Sequence, residues 1–130
     1  EICATIDGKP IVSTSHMYIN SKATSIDVSS LKSSNVVNMS NMFEGTAATT
    51  ITGLDKLDTS NVTNMFSTFY ATKVSILDLS SFNTSKVTNM NYIFSNTSAT
   101  IGYARNSSEV NKFNALSTSY KPSTLRFKLK

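Results

Sequence analysis

The chain has 130 residues, 39% of them hydrophobic and 15% charged, with a net charge of +4. That length suits one domain or a short stack of repeats and excludes two ordinary domains, while the lack of any long apolar run excludes a membrane-spanning helix. Cys3 is the single cysteine, which excludes an intrachain disulfide and a cysteine-based metal site.

Ser, Thr and Asn supply about 40% of the residues, a composition that by itself leans towards disorder. A repeat reverses that reading, because one thin continuous core needs few apolar residues. Ser34-Asn35-Val36-Val37-Asn38-Met39 recurs as Ser60-Asn61-Val62-Thr63-Asn64-Met65 and as Ser85-Lys86-Val87-Thr88-Asn89-Met90. The chain opens at Glu1 without a basic-then-apolar leader, as expected of a processed chain or a piece of a longer one.

Residues 1–24 fit no repeat and are expected to form an N-terminal cap. Two short apolar runs, Ile2 to Ile6 and Ile11-Val12, flank the turn signal Asp7-Gly8-Lys9-Pro10, which predicts a hairpin or two short strands. His16, the only histidine, reads as an ordinary surface or satisfied residue and not as a catalyst or ligand.

Three coils follow, at 25–50, 51–75 and 76–100. Five positions stay apolar in each: Val28/Leu54/Leu79, Leu31/Leu57/Phe82, Val36/Val62/Val87, Met39/Met65/Met90 and Phe43/Phe69/Phe94. The last three sets are the expected core, and their i, i+3, i+7 spacing predicts a short helix from the Val to just past the Phe. Ser33-Ser34, Thr59-Ser60 and Thr84-Ser85 stand where hydroxyls would cap such a helix. Ile26-Asp27-Val28-Ser29 and Leu77-Asp78-Leu79-Ser80 alternate as half-buried strands do, while Thr52-Gly53-Leu54-Asp55 is weaker. Asn38, Asn64 and Asn89 share one offset and are expected to stack as a ladder, bonding one another and the turn backbone, the alternative being that each sits on the solvent side of its helix. One strand and one short helix per coil give an α/β fold, a short right-handed leucine-rich-repeat-type solenoid of parallel strands with N- and C-terminal caps.

Residues 101–130 are the expected C-terminal cap. Thr100 to Ala104 reads as a strand, Ser107-Ser108-Glu109-Val110 as a helix start, and Tyr120 to Ser123 as a turn. Thr124 to Lys130 alternates strictly and predicts an edge strand with Leu125, Phe127 and Leu129 inward. Residues 105–130 hold six basic residues (Arg105, Lys112, Lys121, Arg126, Lys128, Lys130) against Glu109. The reading is a solvated cap, with no aromatic–basic interleaving to suggest nucleic acid.

Leu77-Asp78-Leu79-Ser80-Ser81-Phe82-Asn83-Thr84-Ser85-Lys86-Val87-Thr88-Asn89-Met90 with Phe94 resembles the bacterial surface-protein repeat grouped with the BspA-type leucine-rich repeats. The resemblance covers residues 25–100, and Tyr103 to Asn114 is similar to segments that often end such arrays. Met42, Thr68 and Ile93 vary where that family favours Met, and Thr52-Gly53 departs from its strand. What the resemblance implies is a bacterial cell-surface, secreted or phage-borne location and a role in adhesion, with no catalytic residues to carry over.

The expected function is therefore a non-catalytic binding module for a protein or glycan, without cofactor, metal, nucleic acid or membrane span, and with its oligomeric state open. Strand residues facing away from the core (Asp27, Ser29, Asp55, Asp78 and Ser80) are the candidate contacts. Calcium is set aside, because Gly53 interrupts the acidic row and hard cations take six or more oxygens. The alternative is a structural, spacer or decoration component of a cell-surface or phage assembly. Enzymatic chemistry would need a nucleophile with an oriented base, paired carboxylates or a metal, and the sequence offers no such set.

Overall fold

The structure, a computed structural model, describes residues 5–6 and 8–130. It is a mixed α/β chain whose described strands form open sheets and no barrel. Strands β1 (Thr5–Ile6) and β2 (Lys9–Pro10) make a small antiparallel hairpin. The hairpin is tighter than expected, since Lys9 and Pro10 pair in the strand instead of lying in the turn. Of the expected first run, residues 1–4 lie outside the described residues.

Strands β3 (Ser25–Asp27) and β4 (Thr50–Thr52) pair in parallel. So do β5 (Ile76–Leu79), β6 (Ile101–Ala104) and β7 (Arg126–Leu129), in that order. The two sheets are separate because the middle repeat is one residue longer. Ile26 is level with Ile51, yet the counterpart of Val28 is Leu54, so Gly53 is the extra residue. Gly53 takes φ +91 and leads into a short 3-10 turn, Leu54–Lys56. That turn ends β4 before it can pair with β5.

The expected helices from Val36, Val62 and Val87 to Phe43, Phe69 and Phe94 are absent, and the reason lies in where the N–H groups go. Met39, Asn41, Phe43 and Gly45 donate across to the carbonyls of Asn64, Phe66, Thr68 and Tyr70, at 2.8–2.9 Å. The residues between them close local turns: Met42 donates to Met39 O, Glu44 to Asn41 O and Thr46 to Phe43 O, each at 3.3 Å. The third residues of the first and last of these turns, Asn41 and Gly45, have φ of 58° and 65°, as type II turns require. An α-helix would direct the same groups to i−4 and allow no left-handed residue. The following repeat does the same with Ser67 and Ala71; the next keeps the local turns and the left-handed pair, Tyr92 and Asn96, and Phe94 N donates across to Tyr120 O.

Residues 13–20 also follow this plan, although the sequence placed them outside the repeat. His16 and Asn20 are the left-handed pair, and Thr14, His16, Tyr18 and Asn20 donate to the carbonyls of Asn38, Ser40, Met42 and Glu44. Tyr18 accordingly heads an aromatic column. Tyr18–Phe43, Phe43–Phe69 and Phe69–Phe94 stack at 5.6, 5.5 and 5.9 Å, nearly parallel.

The core runs along this column. Val36, Met39, Val62 and Met65 are buried with it, and Val87 and Met90 pack against it from partly buried positions. Ser33, Thr59 and Thr84 do not cap helices; they are buried hydroxyls that join neighbouring repeats. Ser33 Oγ accepts from Asp58 N at 2.8 Å, and Thr59 Oγ1 accepts from Asn83 N at 2.8 Å while donating to Asn83 O at 3.0 Å. Thr84 Oγ1 donates to the buried Glu109 carboxylate at 2.7 Å, so an acidic side chain ends this row.

Helix α1 (Ser107–Asn114) carries Glu109 and begins at Asn106, whose side chain accepts from Glu109 N. It buries Phe113 against Phe94 and Phe127, and Gly102 has no side chain because the Phe127 ring fills that space. Strand β7 is an edge strand, as expected, with Leu125 and Phe127 buried. Leu129, expected inward, is 54% exposed. It stands in register behind Ala104 and Leu79, at the end of the row where no further described strand covers it. The edge itself is closed at Phe127: the Asn114 amide accepts from Phe127 N at 2.8 Å and donates to Phe127 O at 2.9 Å.

Candidate functional site

The strand-side residues proposed as contacts divide into local turn motifs. Asp27 is exposed at the end of β3, and its Oδ1 accepts from Ser29 N (2.9 Å) and Ser29 Oγ (2.6 Å). Asp78 in β5 does the same with Ser80, at 3.1 and 2.5 Å. Asp58 and Ser60, which sequence reasoning passed over, form a third copy at 2.9 and 2.6 Å. Such bonds favour the ionised carboxylate: the Ser29 and Ser60 hydroxyls, then their N–H groups, hold Asp27 and Asp58 below the usual carboxylate range. Burial works to raise Asp78, but Lys130 and Ser80 outweigh it and keep it low. Lys130 donates to Asp78 Oδ2 at 2.6 Å, and this partner lifts its own pKa.

These residues do not form one acidic face. Thr52 is the residue level with Asp27, and the extra Gly53 leads into the 3-10 turn that holds Asp55, so the middle repeat places no carboxylate in the strand beside Asp27 and Asp78. No group of three or more His, Cys, Asp or Glu is placed to hold a metal among the described residues.

Asn38, Asn64 and Asn89 do stack, but through their backbones, which form consecutive parallel bridges. Each side-chain Oδ1 accepts from the N–H two residues on, in Ser40, Phe66 and Asn91 at 2.9–3.0 Å, and so fixes its own turn.

The basic end is not a uniform solvated cap either. Lys121 is only 4% exposed and donates to the carbonyls of Pro122 (3.1 Å) and Leu125 (2.7 Å). Burial, helped by the nearby Arg126 charge, pushes its pKa down. Lys112 reaches Thr84 Oγ1 at 2.7 Å, and Lys128 lies 5.8 Å from the Tyr103 ring centre.

A different surface emerges on the turn side. Tyr92 follows the Asn89 turn and is 44% exposed. Its ring centre lies 5.8 Å from that of Phe66 and 5.5 Å from that of Tyr120, both rings steeply inclined to it, so two aromatic contacts hold it. Tyr70 stands beside it, and its hydroxyl accepts from Asn96 Nδ2 at 3.0 Å. Two hollows of about 360 and 370 Å³ share Tyr70 and Tyr92 as a common wall. One continues to Asn96 and Ser119, the other to Phe66, Asn41 and Glu44. The Asn41 amide donates to the Glu44 carboxylate.

Sequence reasoning missed this groove, though the repeat contained a signal for it. Phe66 falls where the neighbouring repeats have Ser40 and Asn91, Tyr70 where they have Glu44 and Ser95, and Tyr92 where they have Asn41 and Ser67. Aromatic residues at positions that are otherwise polar are not required by the core.

Residues 4–122 match the family described as Mycoplasma protein of unknown function, DUF285. No curated protein and no solved structure matches the chain.

Proposed function

The chain belongs to the DUF285 family, and from that starting point we propose that it is a non-catalytic binding module, a leucine-rich-repeat-type solenoid of the BspA kind that presents a rigid surface to a protein or glycan. The observation that carries this reading is the exposed Tyr92, fixed between Phe66 and Tyr120 over two hollows. Preformed concave sites with aromatic walls and a few polar groups are where ligands commonly bind. Rigid aromatic side chains supply contact area at little entropic cost.

The stacked repeats support the same reading. Backbone bonds between repeats hold the turns, which leaves the outward positions free to vary in chemistry. A surface-displayed or secreted location and a role in adhesion belong with it. On this reading Asp27, Asp58 and Asp78 shape their turns, and the aromatic groove takes over from Asp27, Ser29, Asp55, Asp78 and Ser80 as the contact surface.

The test is light scattering at low and physiological salt, joined to glycan and protein arrays probed with the intact chain. The module reading expects a salt-insensitive monomer retained on at least one array class. Higher-order assembly without retention on either array would contradict it and favour a structural or decoration component.

A further inference from the structure

We propose that the two hollows on either side of Tyr70 and Tyr92 are one site for a neutral oligosaccharide, with sugar rings stacked on the tyrosines and hydroxyls bonded to Asn41, Glu44 and Asn96. The inference rests on the binding-module reading and names its ligand.

Tyr92 carries the first part of the argument. Its φ is 58°, the left-handed position that Asn41 fills in an earlier repeat. Asn tolerates that backbone, whereas a bulky side chain there is an outlier and a reason to look for function. Core packing does not account for the aromatic residue, because nearly half of it faces water. What the fold does is hold the ring still, through steeply inclined ring contacts with Phe66 and Tyr120.

The lining selects the ligand. Asn41, Asn96, Ser95 and Ser119 offer amides and hydroxyls, and among the described residues Glu44 is the only charged group lining either hollow. With no basic side chain among the described lining residues, an anionic ligand would meet repulsion and no partner. An aliphatic chain would strip water from the amides and hydroxyls without replacing their hydrogen bonds, which is costly. A sugar fits both features. The C–H groups on one face of its ring are weakly positive and pack on the negative face of an aromatic ring, while its hydroxyls exchange hydrogen bonds with the rim. Asn41 orients the Glu44 carboxylate, and its remaining lone pairs can accept from sugar hydroxyls. The hollows, about 360 and 370 Å³, fall within the usual size of small-ligand sites, and lying side by side they suit a chain of sugars.

The experiment titrates the intact chain with maltotriose, cellotriose, chitotriose and, separately, tetramethylammonium, read by saturation-transfer NMR and tyrosine fluorescence. Tyr92→Asn and Glu44→Gln are compared with the parent, and melting temperature reports folding, which Tyr92→Asn should keep because Asn suits the backbone. At least one trisaccharide should bind, with affinity about tenfold or more weaker in Tyr92→Asn. Glu44→Gln keeps an acceptor but loses the charge-assisted bond to a sugar hydroxyl, so trisaccharide affinity should fall by about threefold or more. Absence of binding to all three sugars, or binding that Tyr92→Asn leaves unchanged, would overturn the proposal. So would tetramethylammonium binding abolished by Glu44→Gln, which would mark a cation site. A chain that captures a protein on the array but no sugar sinks the oligosaccharide and leaves the module standing; one that captures neither and self-assembles sinks both.

Discussion

Gly53 shows how much one residue decides here. A Cβ at this position would lie 2.5 Å from Ser29 N and 2.6 Å from its Cα, in addition to the strain of φ +91. Left-handed strain and a clash with backbone each cost on the order of 1–3 kcal/mol, so Gly53→Ala should lower stability by at least about 2 kcal/mol. Gly8→Ala, at φ +75 but with nothing within 4 Å, should lose less, and denaturant unfolding of both would check the order. Asp58 offers a cleaner exchange. In the next repeat Asn83 takes its place and accepts from Ser85 N at 3.0 Å, so Asp58→Asn should keep the turn. The Asp58 carboxyl is held low in the fold; its stabilisation is present above the unfolded value, about 3.9, and is lost as pH falls through the folded pKa. Asp58→Asn should therefore change little at neutral pH and flatten the fall in stability below about pH 4, as pH-dependent unfolding would record.

At the scale of elements, the three apolar columns and the parallel strands were legible, and the turns that stand in place of helices were not. Val36, Met39 and Phe43 point inward at i, i+3, i+7 whether the chain is helical or a run of linked turns, so periodicity alone cannot separate the two. The discriminating residues were Asn41 and Gly45, with Asn20 and Asn96 at the second site of other repeats, all residue types that tolerate positive φ. Read as a four-residue spacing of left-handed positions, they predict turns. Alternation along a strand marks Asp27 and Asp78 as outward-facing without revealing that Ser29 and Ser80 already occupy their carboxylates. The groove escaped because its residues come from different repeats, and only comparison at equal offsets brings them together. The sheet edge yields a prediction of its own. Removing the Asn114 amide leaves Phe127 N–H and C=O unpaired at an open strand. Asn114→Ala should lose about 1–3 kcal/mol and begin to self-associate through β7. Light scattering that found an unchanged monomer would show that Asn114 does not guard the edge.

For the whole molecule, the bonds between repeats matter more than those within them. Backbone groups cross from one repeat to the next at alternate positions, buried hydroxyls repeat the connection inside, and the aromatic column runs from Tyr18 to Phe94. Glu109, Phe113 and Asn114 on α1 close the hydroxyl row, the column and the sheet in turn. Because the scaffold is held this way, an outward side chain such as Tyr92 can be exchanged without dismantling it, and that is the physical basis of the binding-module reading. Native-state hydrogen exchange tests this claim most directly. The amides of Met39, Asn41, Phe43 and Gly45, with Met65, Ser67, Phe69 and Ala71, should open only with global unfolding, while the exposed loop amides of Lys32 and Lys73 exchange early. If those cross-repeat amides instead exchanged as fast as the loops, the repeats would not be joined as described, and the rigid surface built on them would go with them.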